Sequence, residues 1–276
     1  MQPRAGAGGL MRVYLEGIGL FGPGLEGWEA SRGILAGDAP YTPTQAPLPA
    51  ATLLPANERR RAPKIVRIAL ATGAEALTAA GRDPALVPAV FTSSGGDGDT
   101  IHEIMSTLAS PVRELSPTRF HNSVHNAAAG YWSIATGSRA ASTSLCCHDG
   151  SFAAGLLEAA VQAIAGGKAV MLVAYDVPYP SPLAEARPIG PAFGVAMALS
   201  PTPSPASFAR LELELTTDQP LSQNTEPALE ALRRTTPAAR SLPLLAVLAG
   251  NGTTAVTLEY LPDLALSVST TPEEGA

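Results

Sequence analysis

Apolar and polar positions follow two rhythms along this chain, and the switches between them mark out its elements. Residues 12–20 (R-V-Y-L-E-G-I-G-L) read as a strand running into Gly-Pro-Gly, and residues 28–35 as a short helix. Residues 38–63 are proline-rich and carry no period, which predicts a surface loop with Arg59, Arg60 and Arg61 as a solvated turn at its end. A helix follows over 65–80, apolar at Ile65, Ile68, Ala69, Ala76 and Leu77, and it stops at Gly81. Residues 87–91 form a short buried strand that enters S-S-G-G-D-G-D, and 100–108 the next helix. Those glycines lack the lysine of a phosphate-cradling loop, so the stretch reads as a tight strand-to-helix turn.

The stretch from His121 to Asp176 organises the rest. It reads as helix, turn, buried strand, sharp corner, buried helix and buried strand. Between Ala153 and Ala165 only Glu158 and Gln162 are polar, so this helix is expected to be enclosed on most sides. Gly150 and Ser151 sit at its start, where unpaired backbone N–H groups favour an anion or a developing oxyanion. Further on, 175–191 is a proline-punctuated loop, 194–199 and 208–215 are antiparallel strands, and 226–234 is a helix. Residues 250–252 turn from an apolar run into a strand, and 255–260 and 264–268 are the final strands. Strands alternating with helices before a β-rich end predict an α/β fold with layered helices. One domain is expected over 12–269, with 1–11 as a disordered extension and 270–276 as a frayed tail.

Composition narrows the function. Among 276 residues, 18 Lys and Arg face 24 acidic residues, a net −6, so no basic footprint points to nucleic acid or an anionic membrane. No apolar run reaches the roughly 20 residues of a membrane span, and the first ten residues lack a signal peptide's apolar segment. The two cysteines are adjacent, where a disulfide would be strained, so the expected compartment is the cytoplasm.

Several blocks together resemble β-ketoacyl synthases of the thiolase-like superfamily. R-V-Y-L-E-G-I-G-L-F-G-P-G is similar to their opening strand. S-P-T-R-F-H-N-S-V-H-N-A-A-A-G-Y-W-S-I-A-T-G is similar to the segment before the nucleophile strand, and G-G-K-A-V-M-L-V-A to the strand after the nucleophile helix. The likeness covers about residues 12–215. The length and the C-H-D-G-S-F-A-A-G-L-L-E-A wording resemble more narrowly the chain length factors that accompany ketosynthases in aryl-polyene-type pathways. The resemblance implies a thiolase-like layered helix/sheet fold, truncated relative to full ketosynthases, with an edge strand near the nucleophile used for dimerisation. It implies as partners an active ketosynthase and, through that complex, an acyl carrier protein, with no cofactor.

The family's spacing locates the nucleophile. Counting twelve residues on from Gly137 reaches Asp149, and counting seventeen back from Gly166 reaches it too. Cys146 and Cys147 then fall early, inside the strand, and an aspartate is not a thioester-forming group. No histidine follows His148, whereas ketosynthases use two from their C-terminal half. Cys147-His148-Asp149 looks like a triad only in print, because neighbours on a strand point opposite ways. No spacing of Cys146, Cys147, His148, His121 and His125 suits a metal. Pro117 and the surrounding asparagines place His121 and His125 in a loop that lines the pocket or interface. Tyr131 and Trp132 are core or interface aromatics, while Phe152 and Gly150 line an acyl tunnel or pack the helix start. The expected function is a non-catalytic subunit that pairs with a ketosynthase and shapes the acyl tunnel. An acyltransferase using Cys147, with His121, His125 or His148 as base, and a pure scaffold that docks carrier protein are the alternatives.

Overall fold

Glycines decide how closely helices approach the central strand. The computed structural model describes residues 10–250 and 253–273, and the readings placed on 1–9, 251–252 and 274–276 lie outside them. In chain order the first elements are β1 (Met11–Gly22), β2 (Leu25–Glu26), α1 (Trp28–Leu35), α2 (Ala56–Arg61), α3 (Lys64–Ala79), β3 (Ala89–Thr92), α4 (Gly98–Ala109), α5 (Pro117–Asn122) and α6 (Ala127–Thr136). Then follow β4 (Ser142–Leu145), a 3-10 turn (His148–Gly150), α7 (Ser151–Gly166), β5 (Val170–Asp176), α8 (Leu183–Ala186), β6 (Phe193–Ser200) and β7 (Ala209–Thr216). The chain closes with α9 (Pro227–Thr235), a second 3-10 turn (Pro237–Ser241), α10 (Leu242–Ala249), β8 (Thr254–Leu261) and β9 (Leu264–Pro272).

The strands form one mixed sheet in the order β4-β3-β5-β6-β1-β7-β9-β8, with β2 against the end of β1. β3 runs parallel to both β4 and β5, and the other pairs are antiparallel. On one face α3 and α6 bury Ile68, Leu77 and Trp132 against Phe91 and Val173. On the other, α7, α10 and the Pro237–Ser241 turn bury Leu156, Ala160 and Leu245 against Leu172, Met197 and Leu211. A Cβ on Gly19 would lie 2.0 Å from the carbonyl oxygen of Thr72, so α3 rests directly on the backbone of β1. β8 reaches back over the start of α7, where a Cβ on Gly150 would meet the Tyr260 carbonyl oxygen at 2.1 Å.

The layered α/β fold expected from the sequence is present, with departures in detail. α2 interrupts the proline-rich loop, and the arginine run is its last turn. α5 replaces the loop expected around His121, since Pro117 at a first helical position is preorganised for a helix. β6 and β7 are not paired with each other, because β1 lies between them. α10 is apolar on all sides and carried no helical period. Thr270 is buried within β9, paired to β7, so the chain is not frayed there. β4 is a half-exposed edge strand, not a buried one.

Candidate functional site

The corner between β4 and α7 is built by the early end of a short ladder. β3 has four residues, and its last pairing sets Thr92 opposite Leu145. Ser93 then turns away to donate to the Asp176 carboxylate at 3.1 Å. With no ladder left to join, Cys146 and Cys147 lie beyond the strand, which corrects their expected placement inside it. Cys146 Sγ is 3.1 Å from the Ser94 carbonyl oxygen, and Cys147 Sγ is 3.9 Å from that of Tyr260. The Cys147 N–H donates to Ser151 Oγ at 3.0 Å, and Ser151 Oγ donates to the His148 carbonyl at 2.7 Å. His148 completes the corner in the left-handed region at φ 50°. Burial pushes the Cys147 thiol up, and the neighbouring Cys146 adds to the shift, opposite to what an activated nucleophile needs.

Asp149 occupies the foot of α7, where its carboxylate joins three segments distant in sequence. Oδ1 accepts from the Arg187 guanidinium at 2.7 Å, and Oδ2 lies 3.1 Å from that of Arg240. Arg240 also pairs with Glu259 on β8, and His148 Nδ1 stands 3.6 Å from Asp149 Oδ1. Burial alone would raise the Asp149 carboxyl, but the hydrogen bond from Arg187 and the two guanidinium charges hold it below the ordinary carboxylate range. Cys147, His148, Asp149 and Gly150 line one side of a cleft of about 800 Å3, with the β8–β9 hairpin and residues 216–219 opposite.

The other sequence-predicted residues scatter. His125 Nε2 meets the Ser93 carbonyl at 3.2 Å from the turn between α5 and α6. His121, on α5, forms a T-shaped pair with Tyr131, the ring centroids 5.9 Å apart. Tyr131 is a core side chain whose hydroxyl donates to Asn122 Oδ1, and Phe152 is 1% exposed inside the core behind the helix start. Among the described residues no histidine is hydrogen-bonded to either thiol, and no three His, Cys, Asp or Glu side chains gather as for a metal ion. Arg187, Arg240 and Asp176 were missed by sequence reasoning. Their partners lie tens of residues away, and no local pattern signals them.

The layers also end differently at the two sides of the sheet. At β8 the middle of the strand edge is covered at Thr257, where the Ser222 N–H donates to the Thr257 carbonyl and the Thr257 N–H donates to Ser222 Oγ. At β4, Ser142 is exposed and Thr143, Ser144 and Leu145 are half-exposed. α7 is fastened beside this edge by Gln162 Nε2, which donates to Thr143 Oγ1 at 2.8 Å. Away from Gln162, on its outer flank, α7 exposes Val161 and Ile164, and α6 exposes Ile134. The expected enclosure of α7 therefore fails along one stripe.

The sequence matches the β-ketoacyl synthase N-terminal domain family over residues 35–260. No curated protein matches it. Among solved structures, the fold is similar to a chain of the ketosynthase–chain length factor complex (ApeO with ApeC) from Xenorhabdus doucetiae, with TM-score 0.71 and 22% identity over 94% of this chain and 98% of that one. It is similar to a chain of the ishigamide ketosynthase/chain length factor, with TM-score 0.69 and 13% identity over 95% and 99%. A β-ketoacyl synthase from Burkholderia phymatum STM815 matches with TM-score 0.58 and 14% identity, over 83% of this chain and 70% of that one.

Proposed function

This chain belongs to the β-ketoacyl synthase N-terminal domain family, and we propose that within it the chain is a non-catalytic chain length factor that pairs with an active ketosynthase. The observation that carries the reading is Asp149 held by Arg187 and Arg240 at the corner where the family's spacing puts the nucleophile. A carboxylate pinned by two guanidinium groups forms no thioester. Both thiols face backbone carbonyls instead of an imidazole, so neither has the adjacent base that activates a nucleophile.

The pairing surface is the open end of the layers. β4 offers an exposed strand edge that carries the half-exposed Leu145. Uncovered strand edges beside apolar side chains associate with a partner. The partner supplies the thiol, and carrier protein meets this chain through that complex. His125 and the Ser93–Gly96 turn stand next to the β4 end, so they are placed to bound a channel shared with the partner. Each methylene of channel depth is worth on the order of 1–3 kcal/mol in selecting chain length.

The test is incubation of the chain, alone and with its ketosynthase, with a mass-tagged acyl thioester. The label should appear on the partner and not on Cys146 or Cys147. Stoichiometric acylation of either cysteine here would end the proposal. One observation favours a second reading, an acyltransferase working through Cys147: this residue and His148 line the same cleft. On that reading Cys147→Ala abolishes turnover while the fold survives.

A further inference from the structure

Two guanidinium groups reach the Asp149 carboxylate from different directions. Arg187 belongs to the strap between β5 and β6, and Arg240 to the 3-10 turn before α10. Both guanidinium side chains are largely covered, at 25% and 15% exposed. Arg240 is shared with Glu259, and its Nε is buried without a partner. Two guanidinium groups converging on the two oxygens of one carboxylate is the arrangement by which proteins bind a carboxylate ligand. Here the carboxylate is supplied by the chain itself. The other side of the corner is equally filled, because the Tyr260 carbonyl sits where any side chain on Gly150 would go.

We propose that Arg187 and Arg240 form a carboxylate-binding site at the foot of α7, and that Asp149 is its resident occupant. Incoming carboxylates are thereby excluded from the corner, while the strap and the β8–β9 hairpin are tied over it. Asp149 is in this sense a positioning residue, acting through the two arginines. The inference holds whether or not the chain pairs with a ketosynthase, since it concerns the isolated chain.

The experiment is chemical rescue of Asp149→Ala. Removing the carboxylate leaves two partly buried cations facing each other, so the melting temperature should fall by about 5 °C or more. Replacing sodium chloride with sodium acetate at equal ionic strength should then restore at least half of that loss, because acetate refills the vacated position. Wild type should not respond, and Asp149→Asn, whose amide still occupies the space, should not be rescued. A variant as stable as wild type, or an acetate response equal in wild type and variant, would overturn the proposal. Should Asp149→Ala fail to fold, the pair Arg187→Met and Asp149→Asn decides the matter. The loss caused by Arg187→Met should largely vanish in the double variant, and fully additive losses would refute the site.

Discussion

Asp176 shows what a single buried residue does for this corner. It is 2% exposed and ends β5, and its Oδ1 accepts from Ser93 Oγ, the Ser94 N–H and Ser94 Oγ at 3.1, 2.9 and 2.8 Å. Oδ2 accepts from the Ala238 N–H at 2.9 Å, which ties the Ser93–Gly96 turn to the 3-10 turn that carries Arg240. Burial raises its pKa to about 6, against the hydrogen bonds from Ser94, Ser93 and Ala238 that lower it. A carboxyl whose folded pKa lies above its unfolded value near 3.8 favours folding fully below that value and loses this as pH rises through 6. The stability advantage of wild type over Asp176→Asn should therefore shrink between pH 4 and pH 7 in urea titrations, and a constant difference would contradict it. The Asn variant should itself cost about 1–3 kcal/mol, since an amide cannot accept on both sides. Asp149 drew attention in the sequence because two family spacings converged on one position. No such signal marked Asp176, whose donors are 62 to 83 residues away.

Elements were read well where one period dominates. The helices at 28–35 and 64–79 and the strands near 12–20 and 194–199 appear where the pattern put them: the helices set one face on a core, and the strands are buried between both layers. β4 was misread as buried, since whether a strand lies at an edge is decided by tertiary pairing and not by its own letters. In hindsight S-T-S-L is polar for a central parallel strand, which is usually a continuous apolar run. α10 was missed for the opposite reason, being apolar throughout and so without a face. The glycines carry a prediction about how the elements meet. A Cβ on Gly19 collides with backbone of α3, whereas one on Gly155 meets only the Thr92 and Leu172 side chains at 2.7 and 2.8 Å. Gly19→Ala should therefore cost about 3 kcal/mol and Gly155→Ala less, about 1 kcal/mol, because side chains yield where backbone cannot. Equal losses in denaturant melts would show that α3 is free to shift.

At the scale of the molecule the asymmetry between the sheet's two ends determines how it can assemble. Both are strand edges, but Ser222 already satisfies Thr257 at the β8 end, so a second chain gains little there. β4 lies at the end of the sheet with Ser142 exposed and Leu145 half-exposed, and α7 is held beside it by the Gln162–Thr143 bond. Burying the β4 edge with Leu145 in a partner removes apolar surface from water at about 25 cal/mol per Å2, while a guanidinium in the same place must be desolvated without a counter-ion. Ser142→Arg should thus abolish co-purification with the proposed ketosynthase partner while leaving the melting temperature of the isolated chain within about 1 °C, because Ser142 is exposed on β4 in the free chain. Leu221→Arg, exposed near the covered β8 end, is the matched control and should pair normally. If Leu221→Arg disrupted the complex and Ser142→Arg did not, the partner would sit on the cleft side of the molecule. It would then reach the Asp149 corner directly, and the layers would be joined at the other end.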